Sequence, residues 1–147
     1  MFSGLKNWIA SRQEQRLAGV RKSIGDGSAD YVPQVGREDV LRILQRDFDA
    51  NKQASIMTRL DEYGKQNWHR EPHRVHLAVL KLSAGDSGRI PEFVKLACRD
   101  FRDVIAPAEY PQFFDAVIVG VGQKTSDEIR ELKERDWQQY EAWLNRG

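Results

Sequence analysis

The sequence has little cysteine, no long apolar run and almost no net charge, and each shortage excludes a class of protein. Cys98 is the single cysteine among 147 residues, so no internal disulfide forms and a secreted, disulfide-stapled scaffold is excluded. No stretch approaches the roughly 18 consecutive apolar residues that indicate a membrane-spanning helix. A formal net charge of +1 argues against nucleic acid as a partner. The first residues also lack the apolar centre of a secretory signal, so we expect a cytoplasmic protein.

What is present indicates one globular domain with an appended arm. Hydrophobic residues make up 40% of the chain and charged residues 31%, a mixture that folds without help at this length, so we expect no cofactor and no metal. Residues 1–24 predict a basic amphipathic helix. Residues 25–36 hold Gly25, Gly27, Pro33 and Gly36 and predict a linker. Residues 37–147 predict a helical domain.

The 1–24 segment leaves more than one role open. Its basic residues outnumber Glu14, its single acidic residue, five to one: Lys6, Arg12, Arg16, Arg21 and Lys22. We favour packing of its apolar face on the domain or on a partner protein. A cationic amphipathic helix also suits an anionic membrane surface, and an Arg-rich, acid-poor start resembles a mitochondrial presequence.

Apolar periodicity in the remaining chain predicts an all-α fold, an irregular bundle of five to seven short helices with the N-terminal amphipathic arm. Helices are expected at about 37–48 and 51–63, and from Pro72 to near Gly85. A fourth carries Ile90 to Phe101 on one face. It either runs on or breaks before Val104, and it is expected to end at Pro107. The last begins at a capping box formed by Thr125 and Glu128.

The segment 113–121 is the ambiguous part of this pattern. Its β-branched and aromatic residues suit a strand, but an isolated strand has no partner to form a ladder with. We therefore predict helix for residues 112–119.

Two motifs suggest phosphate and calcium sites that their spacing does not support. In the glycine-rich run before Thr125, Gln123 separates Gly122 from Lys124, and the loop is too short to wrap a phosphate. Asp47, Asp49 and Asn51 match the first ligand positions of an EF-hand loop, but its required glycine and its terminal glutamate are missing: the sequence has Lys52 and Thr58 there. These three residues are expected to end one helix and begin the next.

Three histidines have a spacing that would share one helix face and bind zinc: His69, His73 and His76. Pro72 argues against this, because a helix that starts there leaves His69 outside it. No metal site is predicted.

The densest polar cluster is our candidate binding site, and no catalytic residue is predicted. It comprises Arg99, Asp100, Arg102, Asp103, Glu109 and Tyr110. Alternating charges next to a helix end suit a cleft, and paired carboxylates suit acid–base work. The commoner meaning of such a cluster is a structural salt-bridge network, with Arg99 and Asp103 paired on a helix surface. Nearby, Cys98 is expected to fill the core rather than to act as a nucleophile.

Several segments resemble a group of small uncharacterised bacterial proteins. They are Lys81-Leu82-Ser83-Ala84-Gly85-Asp86, Asp100-Phe101-Arg102-Asp103-Val104 and Ala108-Glu109-Tyr110-Pro111. The group has Lys-Leu-x-x-Gly-Asp, Asp-Tyr/Phe-Arg-Asp-Val and Ala-Glu-Tyr-Pro there, and the likeness covers roughly residues 60–145. Phe101 stands where tyrosine is usual. The resemblance implies a bacterial cytoplasmic origin and an all-helical fold, and it carries over no activity.

These patterns favour a protein-interaction module, an adaptor or a toxin-neutralising protein whose partner is another protein. The chain has four tryptophans, more than a small core usually takes, and tryptophan is enriched at interfaces: Trp8, Trp68, Trp137 and Trp143. One alternative is a small enzyme or ligand-binding protein with its site near residues 99–110. The other is a peripheral membrane protein that binds through its N-terminal helix.

Overall fold

The structure, a computed structural model, describes residues 31–120 and 122–147. Within these ranges the chain forms seven α-helices and no strand, which confirms the all-α bundle. They are α1 (Arg37–Asp47), α2 (Ala50–Leu60), α3 (Pro72–Ser83), α4 (Ile90–Arg99), α5 (Arg102–Glu109), α6 (Pro111–Phe113) and α7 (Ser126–Asn145). A 3-10 turn, Ser87–Arg89, precedes α4, and a π-helix, Phe114–Val119, follows α6. The predicted 1–24 helix lies outside the described residues.

Helix α3 is the centre of the bundle. It is apolar on almost every side, which is typical of a helix surrounded by others, and it packs against α1, α4 and α5. Leu77 and Leu80 face a cluster shared with α1, α2, α4 and α7, whereas Val75 and Ala78 face a second cluster shared with α4 and α5. Removing a side chain such as Leu77 would therefore cost about 2 to 5 kcal/mol.

Part of the predicted linker packs on this bundle. Residues 31–36 have no regular secondary structure, yet the Tyr31 ring stacks on Trp137 with centroids 5.4 Å apart. Pro33 is buried, and Val35 packs against the larger core cluster. These six residues lie on the domain surface, where they cover the side of α7 that carries Trp137.

The start of α7 follows the sequence closely. Thr125 Oγ1 accepts a hydrogen bond from the Glu128 N–H at 3.1 Å, and Glu128 Oε1 accepts one from the Thr125 N–H at 3.4 Å. This confirms the capping box. Trp137, Tyr140 and Leu144 of this helix are buried.

The segment 112–119 is helical, which confirms the choice of helix over strand. Pro111 begins a single α-helical turn, and the backbone then widens into the π-helix that ends before Gly120. A Cβ at Gly120 would lie 2.5 Å from the Ala116 carbonyl oxygen, so only glycine fits this stop.

The 90–107 segment is two helices, in line with the alternative of a break before Val104, because the chain turns at Asp100, whose backbone is extended (φ −156°). Two predicted helix ends are wrong. Pro107 lies inside α5 instead of ending it. The proline is on the exposed side, and only the Asp103 carbonyl loses its intrahelical donor, so water can satisfy that oxygen. The second predicted helix also ends earlier, at Leu60, and Tyr63 belongs to the following turn.

Candidate functional site

Four of the six predicted site residues form a surface joint between α4 and α5. Asp100 Oδ1 accepts hydrogen bonds from the Arg102 backbone N–H and from its Nε, both at 3.0 Å, and Oδ2 accepts one from Nη2 at 2.8 Å. The guanidinium of Arg102 holds the pKa of the Asp100 carboxyl below its usual range. This Asx-type turn fixes how the two helices join, which agrees with the structural interpretation of the cluster.

Arg99 and Asp103 form the expected pair, but they belong to different helices and not to one continuous helix. Their closest atoms, Arg99 Nη2 and Asp103 Oδ2, are 4.0 Å apart, and the side chains are 76% and 48% exposed. An exposed pair with this geometry contributes little to stability.

Glu109 lies apart from these four residues, in a buried ion pair with Arg74. Arg74 Nε donates to Glu109 Oε2 and Nη2 donates to Oε1, both at 2.7 Å. Arg74 Nη1 donates to Glu71 Oε2 at 2.8 Å. Burial raises the pKa of Glu109 although the bonds from Arg74 oppose it. For Arg74, burial favours the neutral form, but the two carboxylates outweigh it and its pKa lies above the ordinary value.

Sequence reasoning did not find Arg74. The available signal was Glu109 itself, because a carboxylate within the buried Val104–Glu109 part of α5 needs a cation. Nothing in the sequence says that the cation comes from α3, 35 residues away.

Tyr110 ends α5 and completes the predicted cluster only loosely. Its ring meets Phe113 edge-on with centroids 6.1 Å apart, and its charge contributes to the raised pKa of Arg102. Among the described residues, no hydrogen bond or ion pair links Glu109 to the charges at 99–103. The structure therefore divides the candidate site into an exposed joint and a buried pair.

Asp136 is a second buried carboxylate that the sequence did not single out. Although it is 1% exposed, it accepts hydrogen bonds from the Gln112 N–H at 3.0 Å and the Phe113 N–H at 2.9 Å. Burial raises its pKa and these two bonds lower it. Asp136 thus satisfies the free N–H groups at the start of α6 and holds that turn against α7.

Two of the three histidines, His69 and His76, bond to residues 61–71, the segment between α2 and α3, which we call the 61–71 loop. The third, His73, meets the His76 ring edge-on with centroids 6.3 Å apart. His69 Nδ1 accepts hydrogen bonds from the backbone N–H groups of Gly64 (2.8 Å) and Gln66 (3.3 Å). His76 is buried and its Nε2 donates to the Tyr63 carbonyl at 2.8 Å. No group of three metal-ligating side chains occurs in the described part of the chain.

The same loop holds Trp68 in an exposed position. The buried Tyr63 hydroxyl donates to the Arg70 carbonyl at 2.8 Å and accepts from the Arg70 N–H at 3.0 Å. The His69 ring stacks on Tyr63 with centroids 4.3 Å apart, and the Trp68 indole meets the His69 ring edge-on at 5.5 Å. Trp68 is nevertheless 63% exposed. The loop is braced from inside while its largest apolar side chain faces solvent.

The other described tryptophans do not support the idea of surplus aromatic surface. Trp137 is 6% exposed and belongs to the core, and Trp143 packs against it while half-buried. Trp8 lies outside the described residues. Cys98 is also half-buried between the two core clusters, and burial raises the pKa of its thiol, so it behaves as core filling.

A cleft of about 630 Å³ opens where the ends of α1, α3 and α7 meet. Arg46 organises it: Nε and Nη2 donate to the Asp47 carboxylate at 2.8 and 3.0 Å, and Nη1 donates to the Trp143 and Arg146 carbonyls at 2.6 and 2.7 Å. Asp47, once considered as a calcium ligand, is therefore bound to Arg46. None of the six predicted site residues lines this cleft.

No family model, curated protein or solved structure matches the chain. The resemblance to the small bacterial proteins stays a prediction, and any function has to be argued from geometry. Searched over residues 31–120 and 122–147, the fold contains no helix with the length and apolarity needed to cross a bilayer.

Proposed function

We propose that the chain is a protein-interaction module, an adaptor or a toxin-neutralising protein, and that Trp68 anchors its partner. The supporting observation is the 63% exposure of an indole on an internally braced loop. Tryptophan is the residue most enriched at binding hot spots. A side chain already held in place loses less conformational entropy when a partner covers it.

Hydrogen bonds within the loop support this proposal, because they hold the backbone on both sides of Trp68. Tyr63 holds Arg70 through two hydrogen bonds, and His69 holds the turn at Gly64. Gly64 has φ +120°, a backbone conformation that glycine adopts and other residues rarely do. The loop therefore presents Trp68 from a fixed base, as a preformed contact surface does.

The charges beside Trp68 indicate what the partner offers. Lys65 and Arg70 flank it and are exposed, and residues 64–70 contain no acidic residue. The complementary surface is an apolar pocket for the indole with carboxylates at its rim. The cytoplasmic location and bacterial origin belong to the same proposal. The enzyme alternative near residues 99–110 has no convergent geometry to support it, and the membrane alternative concerns residues outside the described ranges.

The test is affinity purification of the whole protein from its native cell, comparing wild type, Trp68→Ala and Leu41→Ala. Leu41, on α1, is 39% exposed, so its replacement is a matched loss of apolar surface elsewhere. Any partner recovered with wild type is then purified and titrated against all three proteins. We expect Trp68→Ala to weaken binding by about 2 kcal/mol or more, and Leu41→Ala to leave it unchanged.

Thermal unfolding of both variants is the folding control, and it should match wild type because both side chains are exposed. Full retention of every partner by Trp68→Ala would refute Trp68 as the anchor. Equal losses in the two variants would also refute it, because they would indicate non-specific apolar adhesion.

A further inference from the structure

The cleft at the ends of α1, α3 and α7 is rich in positive charge. Its lining includes three cations, Arg46, Lys81 and Arg146, but only one carboxylate, that of Asp47. Trp143 and Gln139 supply an aromatic face and an amide. The volume, about 630 Å³, lies within the range of small-molecule sites.

Contacts within the protein occupy some of the hydrogen-bond donors of these cations and leave others available to a ligand. Arg46 and Asp47 form a two-bond pair, and both Nη1 N–H groups of Arg46 go to the Trp143 and Arg146 carbonyls, so four of its five donors are used. Arg46 therefore holds the cleft together and offers a ligand little. The Arg146 guanidinium is 66% exposed and meets Asp47 only at 3.8 Å, so it keeps most of its donors for another group.

Lys81 is the least satisfied cation in the cleft. Its side chain is half-buried, yet it makes no hydrogen bond or ion pair with any residue that the structure describes. Burial lowers its pKa, and the charge of Asp136 opposes that change. Asp136 acts on Lys81 only through its charge, since no hydrogen bond or ion pair joins the two side chains. A partly desolvated ammonium without a partner costs stability, which a bound anion would recover.

We propose that this cleft binds a small molecule through a phosphate or carboxylate group held by Lys81 and Arg146. Ammonium and guanidinium groups form charge-assisted hydrogen bonds to oxyanions, and the guanidinium of Arg146 is a planar fork that can donate two parallel bonds to a phosphate or a carboxylate. The half-buried Trp143 ring supplies an apolar wall for the rest of the molecule. Trp68 does not line the cleft, so this site is independent of the proposed partner surface.

The experiment is calorimetric titration of the full chain with inorganic phosphate, citrate and adenosine monophosphate, at about physiological ionic strength to screen weak surface attraction. The variants are Lys81→Met, which keeps the length of the side chain and removes the charge, and Arg146→Gln. Lys95→Met is the matched control, because Lys95 is exposed on α4 and does not line the cleft. Backbone amide NMR shifts at Ala84 and Gly85 on the cleft wall report where a probe binds.

We expect saturable binding of at least one probe with shifts at Ala84 and Gly85, a loss of about tenfold or more in Lys81→Met and in Arg146→Gln, and no loss in Lys95→Met. Phosphate binding without citrate binding would assign the phosphoryl group, and binding of both would assign oxyanions in general. The proposal is overturned if no probe saturates, if Lys81→Met and Lys95→Met weaken binding equally, or if both cleft variants keep wild-type affinity.

Discussion

Replacing Glu109 by glutamine tests the central electrostatic feature of the fold. The side chain of Glu109 is 3% exposed and that of Arg74 14%, and two hydrogen bonds of 2.7 Å join them. Glutamine keeps the shape and removes the charge, so Arg74 remains buried without its main counter-ion. Breaking a buried pair in this way costs about 3 to 5 kcal/mol.

The structure places the expected cost at the lower end of that range. Glu71 Oε2 still accepts from Arg74 Nη1 at 2.8 Å, and its side chain is 51% exposed, so it compensates for only part of the lost charge. We therefore expect a loss of about 3 kcal/mol, which lowers the unfolding midpoint of a chain of this length by roughly 10 °C. Far-ultraviolet circular dichroism in thermal and urea unfolding measures both values.

Asp103→Asn is the matched control, since it makes the same chemical change in the exposed Arg99–Asp103 pair. It should cost no more than about 0.5 kcal/mol. Arg74→Met and the double variant Arg74→Met/Glu109→Gln complete a cycle, and the double variant should lose less than the sum of the two single losses. A Glu109→Gln cost as small as that of Asp103→Asn would contradict the buried ion pair.

Three further predictions concern single groups. Burial lowers the pKa of His76 below its ordinary 6.5, so below about pH 6.5 the unfolded chain binds a proton that the folded chain does not, and the free energy of unfolding should fall as the pH drops. Urea unfolding at several pH values should show a weaker pH dependence in His76→Gln, and an unchanged pH dependence would contradict this prediction. Ala84 has φ +50°, so in the same assay Ala84→Gly should stabilise the fold by up to about 1 kcal/mol, whereas Gly85→Ala, at φ +80°, should destabilise it. A destabilising Ala84→Gly and a stabilising Gly85→Ala would contradict the positive φ angles at these two residues. Without ligand, Lys81→Met should raise the free energy of unfolding by about 1 kcal/mol, because it removes an unpartnered, half-buried charge; a decrease would mean that Lys81 has a stabilising partner.

Local signals predicted much of the helix layout. Pro72 begins α3 and Thr125 caps α7 as expected, because a proline in the first turn and a capping box act through neighbouring atoms. The position of the α4–α5 boundary was harder to predict. Asp100 turns the chain by accepting a hydrogen bond from the Arg102 N–H, and this bond competes with a continuous helix. The prediction that Pro107 ends a helix was wrong for a related reason. How much a proline destabilises a helix depends on whether it lies on the exposed side, and this depends on tertiary packing.

The candidate site was harder to predict than the fold. In the charged cluster at residues 99–110, four residues form the exposed joint between α4 and α5. Glu109 is separate from them and binds Arg74 on α3. The charged cleft joins Arg46, Lys81 and Arg146 from three helix ends, and no sequence window contains more than one of them. Pairings over such separations depend on tertiary packing, which periodicity and local spacing do not encode.

The hydrogen bonds of Arg46 have a consequence for how the domain is made. They join α1 to carbonyls 97 and 100 residues further along the chain. During synthesis, α1 to α5 are made before the partner carbonyls exist, so the apolar surface that Trp137 and Leu144 cover stays open until α7 is made. Contacts between residues far apart in the sequence slow folding and prolong the exposure of apolar surface. The apolar surface beneath α7 is therefore open to aggregation in a growing chain until α7 docks.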